Sequence, residues 1–264
     1  ENFSMRATGG TYYRLLNMYE IAGDGAGIIP MPNIKGEGSH VFPMPEEGKQ
    51  WDVSAIWNGP MLGAEHAKVE LTYFGRDSKR ILELGSWNHF FFVYTNAVRA
   101  QVHGGELQAD LSWKKWDLHL QATYTRPRNV VRDNSALPES DFWKNHGVFK
   151  GYLTYQPRWE GTARFTYRPN HRLSIFAQFR YVGEMITSRI PLATGDYVFQ
   201  SSLSTWDLGI KCKVTDNFQL AFGVNDVFNK ACDMYQNYKG GTNYKNIEYP
   251  IQGRSYYVTF QYKF

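Results

Sequence analysis

Gly253-Arg254-Ser255-Tyr256-Tyr257-Val258-Thr259-Phe260-Gln261-Tyr262-Lys263-Phe264 closes the sequence. Tyr256, Val258, Phe260, Tyr262 and Phe264 alternate with Ser255, Tyr257, Thr259, Gln261 and Lys263. Side chains of a strand point to opposite sides in turn, so this stretch reads as a strand with one apolar and one polar face. Its apolar face is about as long as the roughly 9–11 residues a tilted strand needs to cross a bilayer.

The same alternation recurs upstream. Phe3, Met5 and Ala7 share a face, as do Trp51, Val53, Ala55 and Trp57. So do Ala67, Val69, Leu71 and Tyr73, then Leu107, Ala109 and Leu111, then Leu118, Leu120, Ala122 and Tyr124. Further sets are Trp159 to Tyr167, Leu173 to Tyr181, Trp206 to Val214 and Phe218 to Val224. This predicts about ten strands. Tight turns are expected at 58–63, 114–115, 169–171 and 215–217, and long loops at 14–48, 127–158, 184–202 and 229–252. Soluble sandwiches and lipocalin-like barrels also alternate, with the apolar face turned inward. The asymmetry of short turns and long loops, with the strand lengths, favours an all-β transmembrane antiparallel β-barrel.

Composition agrees. Aromatic residues make up 16% of the 264 residues, yet the mean hydropathy is only −0.49. Lipid-facing positions alternating with polar ones produce that combination. No apolar run is long enough for a membrane-crossing helix. Glu1-Asn2-Phe3-Ser4 carries no leader pattern, so either a signal was removed or the chain begins within a longer protein. The net charge of +4 is modest and gives no reason to expect nucleic acid. Cys212 lies on an apolar strand face and Cys232 beyond the next strand, so no disulfide and no metal spacing is read from them.

Gly223-Val224-Asn225-Asp226-Val227-Phe228-Asn229-Lys230, then Tyr249-Pro250, Gly253-Arg254 and the terminal strand, resemble the C-terminal end of a TonB-dependent outer-membrane receptor. Asp226 stands where Asn is usual, and Gln252 where Pro is usual. Thr11 to Glu20 is similar to the family's mid-barrel segment, with Leu15-Leu16 in place of Ala-Pro. The resemblance covers nearly the whole chain, most specifically 98–126 and 159–264. It implies that residues 1–264 are the C-terminal part, about ten strands, of a roughly 22-stranded plugged barrel. The N-terminal barrel half and plug would come from a separate piece, a cleaved piece or one outside this sequence, because open strand edges do not survive in hydrocarbon. The implied function is outer-membrane import of a scarce nutrient, a ferric siderophore or other iron chelate first, with haem, cobalamin and glycans as alternatives. Implied partners are outer-membrane lipid, the TonB energy-transducing complex and the barrel-assembly machinery. Tyr256, Phe260, Tyr262 and Phe264 would form the assembly signal. The resemblance places the turns on the periplasmic side and the loops outside.

No Gly-x-Ser-x-Gly, His-Glu-x-x-His, P-loop or Cys-x-x-Cys occurs, so no enzyme, metal or cofactor is expected. Two rivals of another class remain open: a stand-alone ten-stranded outer-membrane enzyme, for which Glu83 and His89 are the residues to test, and a passive pore. For ligand capture the outer loops offer Tyr12, Tyr13, Arg14, Trp87, His89, Arg128, Arg132, Trp143, Tyr235 and Tyr238. Arg among aromatics suits an anionic, ring-bearing ligand through charge-assisted bonds and stacking. The plainer reading is that such loops are simply Tyr-rich. His40 occupies the loop where haem receptors of the family carry a ligating His. Val41-Phe42-Pro43-Met44-Pro45 matches the adjoining family box poorly, and the plainer reading is a polar surface residue.

Overall fold

The computed structural model describes residues 2–30, 43–86, 92–131, 155–188, 198–233, 235–238, 243–245 and 252–264. In chain order its elements are β1 (Phe3–Arg14), α1 (Met18–Ala22), β2 (Glu46–Met61), β3 (Ala64–Ser86), β4 (Phe92–Trp113) and β5 (Trp116–Val131). Then come β6 (Trp159–Asn170), β7 (Leu173–Val182), β8 (Met185–Ser188), β9 (Val198–Gln200), β10 (Leu203–Lys213) and β11 (Phe218–Asn225). A 3₁₀ turn at Lys230–Asp233, β12 (Tyr235–Tyr238), β13 (Asn243–Lys245) and β14 (Ser255–Tyr262) complete the chain. Ten of the strands form one sheet in the order β1-β2-β3-β4-β5-β6-β7-β10-β11-β14. Every pairing in it is antiparallel.

Register turns the alternation of each strand into two continuous faces. Ala67, Leu111, Leu118, Phe165, Ala177, Leu208, Val224 and Tyr256 are successive cross-strand partners. One step nearer the tight turns run Trp113, Trp116, Tyr167, Ile175, Ile210, Phe222 and Val258. A one-residue slip anywhere would break these rows, because it moves a strand's whole apolar set to the other face. Much of this face is not covered by protein: Leu208 is 45% exposed and Tyr256 64%. A contiguous apolar surface of this extent is what a lipid-facing barrel wall presents. The buried apolar cluster is small, made of Ala64, Ala67, Ala109 and Leu111.

Aromatic rings bracket the band. Trp116 stacks on Tyr167 at 3.9 Å and Phe165 at 4.8 Å near the tight turns. Toward the loops, Tyr124 meets Trp159 at 4.7 Å, Phe179 meets Trp206 at 5.0 Å and Trp51 meets Tyr73 at 5.4 Å. At ~3.3 Å per residue, Trp116 and Tyr124 on β5 stand about 26 Å apart along the strand, or about 19–22 Å along the axis of a barrel with the usual tilt. An apolar band of ~25 Å flanked by aromatic girdles fits that spacing. Above the upper ring the same face turns charged: Lys49 lies opposite Asp77, and Asp77 ion-pairs with Arg99.

Several expectations shift. β1 continues to Arg14, so Tyr12, Tyr13 and Arg14 belong to a strand end, where hydrogen bonds to β2 hold them in register. β5 runs to Val131, which places Arg128 in register with Gln101 rather than in a loop. The turn expected at 169–171 falls at His171-Arg172, since β6 ends at Asn170, whose side chain accepts the Arg172 and Leu173 amides. The loops expected at 184–202 and 229–252 contain a second, four-stranded sheet in the order β13-β12-β9-β8. Tyr235 and Tyr238 lie on its β12.

Candidate functional site

The polar face starts from the alternate residues of the same strands. Pairing there is dense. Arg6 bridges β1 to Glu70 of β3 at 2.7 Å and also reaches Ser54, which is fully buried and hydrogen-bonded to Thr72 at 2.8 Å. Thr8 donates to Asp52. His119 and Asp110 meet at 2.6 Å, and Arg180 pairs with the buried Asp207. The wall thus carries both charge signs, some of them paired across strands, which suits a wet or filled interior.

At the loop end the same face gathers the residues of a candidate site. Tyr12 donates its hydroxyl to the buried Ser78, and the Arg76 guanidinium lies 4.1 Å from the Tyr12 ring centroid. Two residues on, Arg14 pairs with Glu20 and lies 3.6 Å from Glu46. Both carboxylates are buried. Each has a second partner: Glu20 accepts the Asn17 amide at 2.8 Å and Glu46 the Leu82 amide at 2.8 Å. Fully hydrogen-bonded pairing is what makes burial of these charges tolerable. Arg14 itself stays partly exposed. Cations and a phenol ring therefore share one stretch of wall, able to bind an anionic or aromatic group by charge-assisted bonds and cation–π contact. Tyr13 faces the opposite side and is well exposed.

Sequence reasoning missed Arg76, Glu20 and Glu46. A signal for Glu20 existed. Asn17-x-x-Glu20 is a reciprocal capping box, with the Asn17 side chain accepting the Glu20 amide at 3.0 Å. It starts α1 and aims Glu20 back at Arg14. Beyond α1, the Asp24 carboxylate accepts the amides of Ala26, Gly27 and Ile28 at 2.8–2.9 Å. These donors, Ala26 first and then Ile28, hold its pKa below the ordinary value.

His40, Trp87, His89, Arg132 and Trp143 lie outside the described residues. For Arg128, Tyr235 and Tyr238 the backbone position alone is described. Glu83 is on β3. Among the described residues no group of His, Cys, Asp and Glu is arranged to hold a metal ion, and Cys212 is a free thiol. Tyr256, Phe260 and Tyr262 lie on β14 facing away from the polar side, with Phe264 just beyond its end, fully exposed.

The profile of the family described as TonB dependent receptor-like, beta-barrel, matches residues 1–227. No curated protein sequence matches. Among solved structures, the chain is similar to the copper transporter OprC, with 17% identity and a TM-score of 0.69 over 99% of this chain and 37% of that one. It is similar to the FrpB iron transporter from Neisseria meningitidis, with 18% identity and a TM-score of 0.66 over 100% of this chain and 37% of that one. A mutant of the ferric enterobactin receptor from Pseudomonas aeruginosa gives 16% identity and a TM-score of 0.64 over 100% of this chain and 38% of that one. At such identities these likenesses concern the fold. The chain spans less than two fifths of the length of these structures.

Proposed function

Because this chain belongs to the TonB-dependent receptor-like β-barrel family, we propose that it is the C-terminal wall of an outer-membrane receptor that imports a ferric siderophore or another iron chelate. In this reading the long-loop end faces outside and the tight turns face the periplasm. The remaining barrel strands and a plug complete the pore, TonB supplies the energy, and Phe264 with its strand engages the assembly machinery. Transport, not catalysis, is the role.

The observation that carries the ligand class is the wall at the loop end. Tyr12 and Arg76 stack at 4.1 Å, and Arg14 stands two positions above with its guanidinium partly exposed. A ferric chelate of catecholate type is anionic and ring-bearing, so it meets both partners at once. Solved structures of a ferric enterobactin receptor and a siderophore receptor share this fold, as does that of a copper transporter.

The test is uptake of radiolabelled iron by cells making the full-length protein, with and without TonB. Uptake of a ferric catecholate that needs both the protein and TonB supports the proposal. Arg14→Gln with Arg76→Gln should then lower uptake about 10-fold or more, at normal outer-membrane abundance. TonB-independent passage of small solutes would replace the receptor with a passive pore. TonB-dependent uptake of copper and not iron would move the ligand class.

A further inference from the structure

The outward, lipid-side face of β2 to β5 continues past its upper aromatic ring. These four strands are neighbours in the sheet. Beyond the ring, successive cross-strand rows read Trp51, Gly75, His103 and Arg126, then Lys49, Asp77 and Gln101, then Glu47, Lys79 and Arg99. All of them share the side of Val53, Leu71 and Tyr73, because a strand returns to the same face at every second residue. Apolar contact therefore gives way to charge within two residues of the ring.

The charges there do not cancel. Glu47 is paired with Arg80 at 2.8 Å, and Asp77 with Arg99. Among the described residues, Lys49, Lys79 and Arg126 have no ion pair, and all three are exposed. Lys79 stands directly opposite Arg99, and like charges facing each other across a strand pair are destabilising. Lys49 is the diagonal neighbour of Lys79, about 7–8 Å away. Arg126 lies three strands over from Lys49, about 14 Å across the sheet. A phosphate set between the two lysines leaves Arg126 for a second one.

Height selects the class of partner. The cations lie just above the aromatic ring that marks the edge of the hydrocarbon, at the level of lipid headgroups. Directly below them Val53, Leu71 and Tyr73 are exposed, a surface for acyl chains. A soluble anion uses the cations and leaves this apolar strip bare. An anionic amphiphile covers both.

We propose that the outward face of β2 to β5 binds a membrane lipid carrying two or more phosphates. One phosphate is held between Lys49 and Lys79 and another at Arg126, with the acyl chains against Val53 and Leu71. With the loop end outside, as in the proposed function, this is a lipid of the outer leaflet. The test reads bound lipid rather than uptake, so the lipid site and the import role can fail separately.

Native mass spectrometry of the full-length protein in neutral detergent, titrated with bisphosphorylated lipid A, counts the lipid retained. One molecule should stay bound. Monophosphoryl lipid A and phosphatidylglycerol should bind about 10-fold more weakly, because each lacks the second charge-assisted contact. Lys49→Gln with Lys79→Gln and Arg126→Gln should lower lipid A retention about 10-fold or more, whereas Lys49→Arg with Lys79→Arg should keep it. The comparison among lipids uses the unaltered protein and stands whether or not the Gln variant folds. Equal retention by the folded Gln variant would overturn the site. So would equal affinity for phosphatidylglycerol, the mark of an unselective lipid shell. Complete displacement of lipid A by inorganic phosphate would replace it with a small-anion site.

Discussion

Asp226 donates its backbone N–H to the Asp207 carboxylate at 2.9 Å, joining two buried acids from neighbouring strands. Asp207 is neutralised by Arg180 of β7. The Asp226 carboxylate accepts the amides of Lys230 and Ala231, each at 2.8 Å, and so caps the 3₁₀ turn. Three residues on, Asn229 accepts the amide of Arg254, which leads into β14. The Gly223–Lys230 pattern is thus a corner that ties β7, β10, β11 and β14 together.

Replacing Asp226 by Ala leaves two amides of that corner without acceptors, and a lost cap costs about 0.5–2 kcal/mol. Asp226→Asn keeps one acceptor oxygen and should lose less. The check is the temperature at which the full-length protein loses its folded, fast-migrating form in unheated gels. Equal midpoints for the two variants would contradict this account.

Leu120 and Gln121 are adjacent on β5 but face opposite solvents. Leu120 lies midway between Trp116 and Tyr124, opposite Ala109 and Ala163. Gln121 points to the polar side, 3.4 Å from Glu106. Leu120→Lys should cost about 2–4 kcal/mol of folding into bilayers. Gln121→Lys gains an acidic neighbour and should be near neutral. Denaturant titration in lipid vesicles measures both.

Asp24 gives a pH dependence with a definite sign. Its folded pKa lies below the ordinary 3.8, chiefly through the Ala26 amide. A depressed carboxylate pKa contributes stability that is present above 3.8 and lost as pH falls through the folded value. Protection of the Ala26, Gly27 and Ile28 amides from hydrogen exchange should therefore drop only below about pH 4. Asp24→Asn should flatten that change. A loss of protection between pH 5 and 7 would contradict it.

Leu62 and Gly63 form the two-residue turn between β2 and β3 with φ of 51° and 74°. Two successive positive φ values are those of the hairpin turn that favours Asn-Gly. Leu62 is well exposed there and adopts a conformation that costs a branched residue roughly 1 kcal/mol. Leu62→Asn should raise the unfolding midpoint, and Gly63→Ala should lower it. A fall with Leu62→Asn would point to a packing role for Leu62 instead.

The terminal strand, its nine upstream counterparts and the family were legible because alternation has a period of two and survives in any short window. The apolar face of each of these ten strands could be named before its neighbours were known. The site was less legible. Tyr12 and Arg14 were picked for their chemistry, but their place on a strand end was hidden: the residues holding it, Gly48 and Glu46, sit more than thirty positions away. Arg76 and Ser78 carried no local signal at all.

What the sequence determined by itself is which side of each strand meets lipid and which meets the polar interior, together with the tight turns that join neighbours. What tertiary structure decided is partnership. Arg6 finds Glu70 across 64 positions, Arg180 finds Asp207 across 27, and two stretches that read as loops pair into a second sheet. Face is a property of one strand's own geometry. A charge's partner depends on the stagger between strands, and only the network of cross-strand hydrogen bonds fixes that stagger.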